Sequence, residues 1–350
     1  MPFLSEAIDS IRNQGFRDWR LLVLDHGSTD RSLALAQRYA EIDSRIEVHS
    51  HPEAQDVTAL RNIGMAKCDC RYLMLQDADD VSLPDRMAHS MLAFDQRPGL
   101  LLVGGEAVLI DLQGARIGYM HLPHTPDAVL AASFFYNPIA HPTIAADFGF
   151  LQRLGAAYGK DLLNPVQTAE SLGIKSLAED YVLFGQLAQL GPCANLARPL
   201  IHYRRHPKSV SIANPKTQVE LSLKVSRFLA KSFCRRQGLA EFDPGSFCNH
   251  ADYVFDFHQS NYDGEFSRMA QALRAGLGIS PVLERELAFR KVLSRRGSVE
   301  MVSRFIAFEL RYTAMPTERR TVRNWLLRNI RRGKYVCRVN ETIMGARLVA

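Results

Sequence analysis

The sequence predicts an α/β chain: a mixed sheet flanked by helices, followed by a mainly helical C-terminal region. Short β-branched or leucine-rich runs alternate with longer segments of helical period through the first part of the chain. Polar loops rich in Gly, Ser and Asp separate them, and beyond Asn214-Pro215 nearly everything scans as helix. The boundary is therefore expected between residues 1–214 and 215–350.

From Pro2 to Gln14, the residues Phe3, Leu4, Ala7, Ile8 and Ile11 recur at spacings of three and four, which predicts a helix. Trp19 to Leu24 reads as a strand buried on both faces. Asp25-His26-Gly27-Ser28-Thr29-Asp30 breaks it and opens a helix containing Leu33, Leu35 and Ala36. Two more strand and helix pairs follow: Arg45 to His49 with Ala54 to Lys67, then Tyr72 to Gln76 with Pro84 to Gln96. After a short strand at Leu100 to Val103, the segments Glu106 to Ile110 and Arg116 to Met120 flank Asp111-Leu112-Gln113-Gly114. This pattern predicts a hairpin and makes the sheet mixed.

With 47% hydrophobic and 23% charged residues in 350, the composition is that of a globular protein and excludes wholesale disorder, collagen and coiled coil. Six cysteines without CxxC spacing argue against a zinc site or a secreted disulfide scaffold and lead us to expect a reducing, cytoplasmic setting. Apolar runs fall well short of the roughly 18 residues a membrane span needs, and no basic segment leads into an apolar one at the start, so neither a span nor a signal peptide is expected. The net charge of +6 is uneven: residues 301–350 carry eleven Arg and Lys against Glu309, Glu318 and Glu341, which leaves −2 for residues 1–300. A near-neutral body with a basic end suggests an attachment surface rather than a nucleic-acid partner.

Ligands of open α/β sheets bind where strands end, and two acidic clusters fall there. In Asp25 to Asp30, Gly27 permits a tight turn and the Ser, Thr and Asp side chains either cap the next helix or meet a ligand. In Gln76-Asp77-Ala78-Asp79-Asp80, three carboxylates within four residues repel unless a cation or donors compensate. That makes the cluster a candidate site for a hard ion, Mg²⁺ or Mn²⁺; a solvated Asp-rich turn is the alternative. Glu179-Asp180 stands at the start of an apolar helix, where it either caps that helix or supplies a general base. Arg204-Arg205-His206-Pro207-Lys208 is either a diphosphate cradle or a basic surface turn.

In combination, Phe3-Leu4-x-x-Ala7-Ile8-x-Ser10-Ile11-x-x-Gln14, Leu22 to Asp30, Arg61-Asn62-x-Gly64, Asp77-Ala78-Asp79-Asp80, Glu179-Asp180 and Tyr203 to Ser209 resemble the family-2 glycosyltransferases of the GT-A fold, over about residues 1–212. The resemblance implies inverting transfer of a sugar from a nucleotide-activated donor, first of all a UDP-sugar, to a saccharide or lipid-linked acceptor in bacterial surface-polysaccharide or glycolipid assembly. It implies that Asp25 contacts the nucleobase, that Arg61 lies on the nucleotide side, and that Asp77 and Asp79 form the DxD motif, approaching ribose and metal. Asp80 belongs to the same motif, Asp180 is the general base with Glu179 beside it, and His206 is a phosphate or metal contact. Asn137-Pro138-Ile139-Ala140-His141-Pro142-Thr143 resembles the acceptor-side loop.

The sequence departs from the family at two points. His26 stands where members carry a second acid. The family's first apolar strand is not found before the helix at Phe3, so the expectation is a start downstream of the family's own, or a catalytically inactive nucleotide-binding or scaffold protein. A nucleotidyltransferase, the third reading, would show a Gly-rich basic loop after its first strand, and none is visible. At the far end Arg319, Arg320, Arg323, Arg328, Arg331 and Arg332 alternate with Val322, Trp325, Leu326, Leu327 and Ile330. Residues 317–334 thus read as a cationic amphipathic helix, either packed or lying peripherally on an anionic membrane face.

Overall fold

The computed structural model describes residues 3–164, 174, 177–207, 209, 215–249 and 261–330. It comprises two compact units: Met1–His124 with Ile139–His206, and Thr125–Pro138 with Pro207–Ala350.

The first unit opens with α1 (Leu4–Arg12), whose Leu4, Ala7, Ile8 and Ile11 are buried as their spacing requires. β1 (Leu21–Asp25) and β2 (Ile46–Ser50) pair in parallel around α2 (Ser32–Ile42), and α3 (Val57–Lys67) follows. The larger sheet runs β3 (Tyr72–Met74), β7 (Ala145–Asp147), β5 (Leu102–Ile110), β8 (Cys193–Arg204), β4 (Val81–Ser82), with β6 (Arg116–Met120) on β5. β5 pairs β8 in parallel and the other partners antiparallel, so the sheet is mixed, and the hairpin of β5 and β6 stands where the Asp111 to Gly114 turn predicts it. Helices α4 (Arg86–Gln96), α6 (Phe148–Arg153) and α7 (Glu179–Leu190) complete this unit.

Two strand expectations change. β1 is not buried on both faces: Leu21 to Leu24 are half-buried, because among the described residues β1 has β2 alone as a partner strand and the ladder is two strands wide. The separate strands at Leu100 to Val103 and Glu106 to Ile110 are one nine-residue strand. Gly104-Gly105 looks like a break, yet its glycines serve close approach: a Cβ on Gly105 would lie 2.6 Å from Leu200 Cδ1 of β8. The β5 and β8 register shifts beside it.

The second unit contains α5 (Pro126–Ser133), α8 (Pro215–Gln237), α9 (Asp263–Leu277), α10 (Pro281–Val292), α11 (Ser298–Arg311) and α12 (Pro316–Ile330). Arg290 is fully buried here, bonded to Glu286 Oε1, the Phe247 carbonyl and Asn249 Oδ1, with its guanidinium 4.3 Å from the Phe135 ring centroid. In α12 two of the apolar residues expected to face lipid are used internally, while Leu327 is 41% exposed. Val322 and Trp325 are buried, Arg296 covers the Trp325 ring, and Glu318 pairs with Arg285. The described part of 317–334 is thus a packed helix; residues 331–334 lie outside the described residues. Among the described residues no helix is long and apolar enough to cross a membrane.

Candidate active site at the strand ends

The Asp25 loop is organised locally. At the end of β1, Asp25 accepts hydrogen bonds from the Gly27 and Ser28 amides at 3.2 and 3.1 Å and from Ser50 Oγ at 2.7 Å. Burial pushes its carboxyl up, but these donors, led by Ser28 and Ser50, hold it below the usual carboxylate range. Gly27 has φ +72° and packs against Pro52, so the turn needs a residue free to adopt the left-handed region. His26, the departure from the family pattern, contacts the Ala54 carbonyl through Nε2 at 2.8 Å.

The Arg61-Asn62-x-Gly64 stretch lies on α3. Gly64 lets that helix sit against Leu24 of β1, where a Cβ would collide with the leucine side chain. Arg61 then forms an ion pair with Glu179 at the start of α7 and sits 5.4 Å from the Tyr158 ring centroid. Asn62 clamps Tyr158 reciprocally, accepting from its amide at 2.8 Å and donating to its carbonyl at 3.1 Å. The Tyr158 hydroxyl is 3.0 Å from His141 Nε2, and His141 Nδ1 is 3.6 Å from Asp77 Oδ1. Arg61, Asp77, His141, Tyr158 and Glu179 thus join in one network.

Asp180 lies in the field of this network. Its Oδ1 accepts from the Tyr181 amide at 2.8 Å, and burial together with the neighbouring Glu179 charge raises its pKa, opposed by His141 and Arg61. Glu179 is buried, and its Oε2 has no hydrogen-bond partner. Asp77 is held below its ordinary value: burial raises it, and His141, Arg61 and Arg86 more than compensate.

The remaining acids of the second cluster face different ways. Asp79 Oδ2 is 2.9 Å from His206 Nε2. Asp80 turns inward: Oδ1 accepts from the Arg204 amide at 2.8 Å, Oδ2 is buried without a partner, and burial beside Asp77 pushes it up to about 9, so it is protonated at neutral pH. The loop is braced from within. Buried Arg86 donates to Gln76 Oε1 at 2.9 Å, to Ser82 Oγ at 2.8 Å and to the Leu75 and Ile144 carbonyls. Gln76 Nε2 in turn donates to the Asp77 and Asp80 carbonyls.

Arg204 does not contribute to an exposed cationic cradle. It is 3% exposed, paired with Glu6, bonded through Nε to the Asp79 carbonyl and seated on Phe3, and so acts as an internal brace. Lys208 lies outside the described residues. Sequence reasoning missed Arg86 and Tyr158. Arg86 carried a signal, because it shares a helical stripe with Ser90, Ala93 and Phe94, the buried side of α4, where a lone cation is out of place. Nothing in the sequence around Tyr158 distinguishes it.

A mixed sheet with acidic loops at its strand ends and an acid pair opening the adjoining helix is the arrangement that the resemblance to GT-A-fold transferases implies. The glycosyl transferase family 2 model matches residues 2–153. O-antigen biosynthesis glycosyltransferase WbnJ of Escherichia coli is 30% identical over 213 residues, covering 59% of this chain and 76% of that protein. An uncharacterized glycosyltransferase of Haemophilus influenzae is 24% identical over 233 residues, covering 64% and 68%. The chain spans half the length of a further relative from Bacillus subtilis. Among solved structures, S. aureus TarS 1-349 in complex with UDP-GlcNAc superimposes with a TM-score of 0.50 at 14% identity, covering 93% of this chain and 88% of that one. The chain belongs to glycosyltransferase family 2 and has the GT-A fold.

Proposed function

We propose that this protein transfers a sugar, with inversion, from a nucleoside-diphosphate sugar to a hydroxyl of a saccharide or lipid-linked acceptor in surface-polysaccharide assembly. The observation that carries this reading is the convergence of Asp77, Arg61, His141, Glu179 and Asp180 in one network, beside the Asp79 and His206 pair. The names of WbnJ, an O-antigen biosynthesis enzyme, and of the TarS complex with UDP-GlcNAc support the acceptor and donor classes.

The donor set fits a divalent cation. Asp79 Oδ2 and His206 Nε2 supply adjacent oxygen and imidazole ligands of the kind Mn²⁺ accepts, and Asp77 lies on the same loop. Among the described residues no group of three metal-binding side chains is assembled. That suits an ion held by one or two protein ligands together with substrate phosphates and water. When bound, Mg²⁺ or Mn²⁺ supplies positive charge to the leaving diphosphate.

The chain's own residues do the rest. The raised pKa of Asp180 gives a carboxylate basic enough to take the acceptor hydroxyl's proton as that oxygen bonds to the anomeric carbon. The bond from that carbon to the diphosphate oxygen breaks with its electron pair leaving on the diphosphate, and a single displacement inverts the centre. Arg61, held by Glu179 and lying over Tyr158, presents a fixed cation on the nucleotide side. In this reading Asp25 meets the nucleobase, and the Asp80 carboxyl, kept neutral by burial, shapes the loop from beneath.

Calorimetric titration of UDP, GDP and dTDP, with and without Mn²⁺, into the chain and into Asp79→Ala tests the proposal. Metal-dependent binding of one nucleotide, abolished by Asp79→Ala, is the expected result. A folded chain that binds none of the three, or binds one equally with and without metal, would leave the scaffold reading instead.

A further inference from the structure

α11 is apolar on two opposite sides. Its inward side is ordinary core: Met301 and Phe308 are buried, and the Phe308 ring meets Phe289, Phe305 and Tyr312 at centroid distances of 5.6, 6.2 and 5.4 Å. On the outward side Val299, Val302, Ile306 and Leu310 are 84%, 39%, 54% and 85% exposed. At about 100° per residue they form one stripe, roughly 16 Å long from Val299 to Leu310. A surface helix normally places polar residues opposite its buried stripe; here Ser303 is the one polar residue near the outward centre line.

The charges beside the stripe indicate what covers it. Residues 291–330 contain nine Arg and Lys and three acids; Arg296 is buried, and Arg295 and Arg304 also pair with Asp263, so the surface excess is smaller than the count but remains basic. All three acids are in ion pairs with arginine: Glu300 with Arg295 at 3.6 Å, Glu309 with Arg319 at 2.8 Å and Glu318 with Arg285 at 2.8 Å. Glu309 with its Arg319 flanks the stripe on one side, and Glu300 with its Arg295 flanks it on the other. An apolar strip bordered on both sides by arginines matches the layering of a bilayer surface, acyl region inward and anionic headgroups alongside. A second copy of the same face would bring two arginine-rich surfaces together, which electrostatics opposes.

We propose that the Val299, Val302, Ile306 and Leu310 stripe of α11 seats this protein on an anionic lipid bilayer. The lipid face is thus α11 rather than α12, whose Val322 and Trp325 are already packed. The inference is independent of the transfer reaction, since it requires neither nucleotide nor metal.

The test is flotation of the full chain with liposomes of neutral phosphatidylcholine and of phosphatidylcholine with phosphatidylglycerol, beside the triple variant V299D/I306D/L310D. The replaced side chains are solvent-exposed, so the variant should fold, and circular dichroism and its thermal midpoint check that. The expected result is binding to the anionic vesicles only, weakened by raised salt and reduced at least about tenfold in the variant. The proposal is overturned if the wild type binds neither vesicle, binds both equally, or is matched by a folded variant. It is also overturned if sedimentation shows a wild-type dimer that the triple variant abolishes, which would assign the stripe to a second copy.

Discussion

The Asp25 loop and the Asp77 to Asp80 loop both close strands of the first unit, and they are held by different means. The Asp25 carboxylate collects amide donors from the two residues that follow its neighbour and one hydroxyl from the adjacent strand. The second loop has internal bonds, from the Asp80 amide to the Asp77 carbonyl and from Gln76 Nε2 to the Asp77 and Asp80 carbonyls, and adds donors from outside itself. Its backbone is fixed by Gln76 and by two buried arginines, Arg86 at the start of the α4 helix that follows and Arg204 on the distant β8. A loop held by its own backbone tolerates change elsewhere, whereas a loop that also relies on donors from other elements depends on the residues that supply them.

The largest effect that would break this contrast lies in the chemistry the braced loop serves. Asp180→Asn should reduce turnover by about 10² to 10⁴-fold while leaving the thermal midpoint unchanged or higher, because it removes a base but also a buried charge. For the wild type, a raised Asp180 pKa places the acid limb of the pH profile above the ordinary carboxylate value of about 4. Activity falls as pH drops through that limb, because the protonated carboxyl cannot accept the hydroxyl proton. Retained turnover in the variant, or an acid limb at the ordinary value, would assign Asp180 to helix capping instead.

Next in size is Arg86→Met, which preserves bulk but removes the guanidinium donor from the Leu75 carbonyl and one of two donors from each of Gln76 Oε1, which keeps Ser82 Oγ, and the Ile144 carbonyl, which keeps the Leu75 amide. One buried carbonyl left unmade at about 1–3 kcal/mol, with the lost charge-assisted bonds to the other acceptors, predicts a loss of roughly 2–4 kcal/mol, read as a fall in the urea midpoint. A loss below about 1 kcal/mol would mean that the second loop, like the first, holds itself.

The contrast also explains what could be read in advance. Features written in neighbouring residues were legible: the periodicity of α1, the Asp-Leu-Gln-Gly hairpin turn, the glycine-containing loop after β1, and the order of the family motifs. The bracing was not, because it depends on which distant side chain reaches a loop once the sheet is formed. Arg204 looked like part of a ligand cradle because its neighbours are basic, yet Glu6, Phe3 and the Asp79 carbonyl enclose it. The two runs Leu100 to Val103 and Glu106 to Ile110 read as separate strands because only the approach of Leu200 on β8 explains the side chains missing at Gly104-Gly105 between them. The arginine-rich α12 reads equally as a packed helix or a membrane-facing one; its tryptophan fills the core, and the longer exposed apolar stripe falls on the less basic α11.

The smallest expected effect belongs to the self-held loop. Asp25→Asn keeps an acceptor for the Ser28 amide but loses the charge that strengthens the bonds from Gly27 and Ser50, a cost of about 1–2 kcal/mol at neutral pH. Because the folded-state pKa of Asp25 is depressed, its contribution is complete above the unfolded value of about 3.9 and is lost as pH falls through the folded value. Denaturant midpoints of wild type and Asp25→Asn should therefore differ most near pH 7 and converge under acid. For Arg86→Met the same acid titration should not close the gap, since a guanidinium whose pKa burial lowers only to about 10 remains charged throughout that range. Parallel rather than converging curves for Asp25→Asn would mean that the carboxylate's charge is not what holds its loop, and the local account of that loop would be wrong.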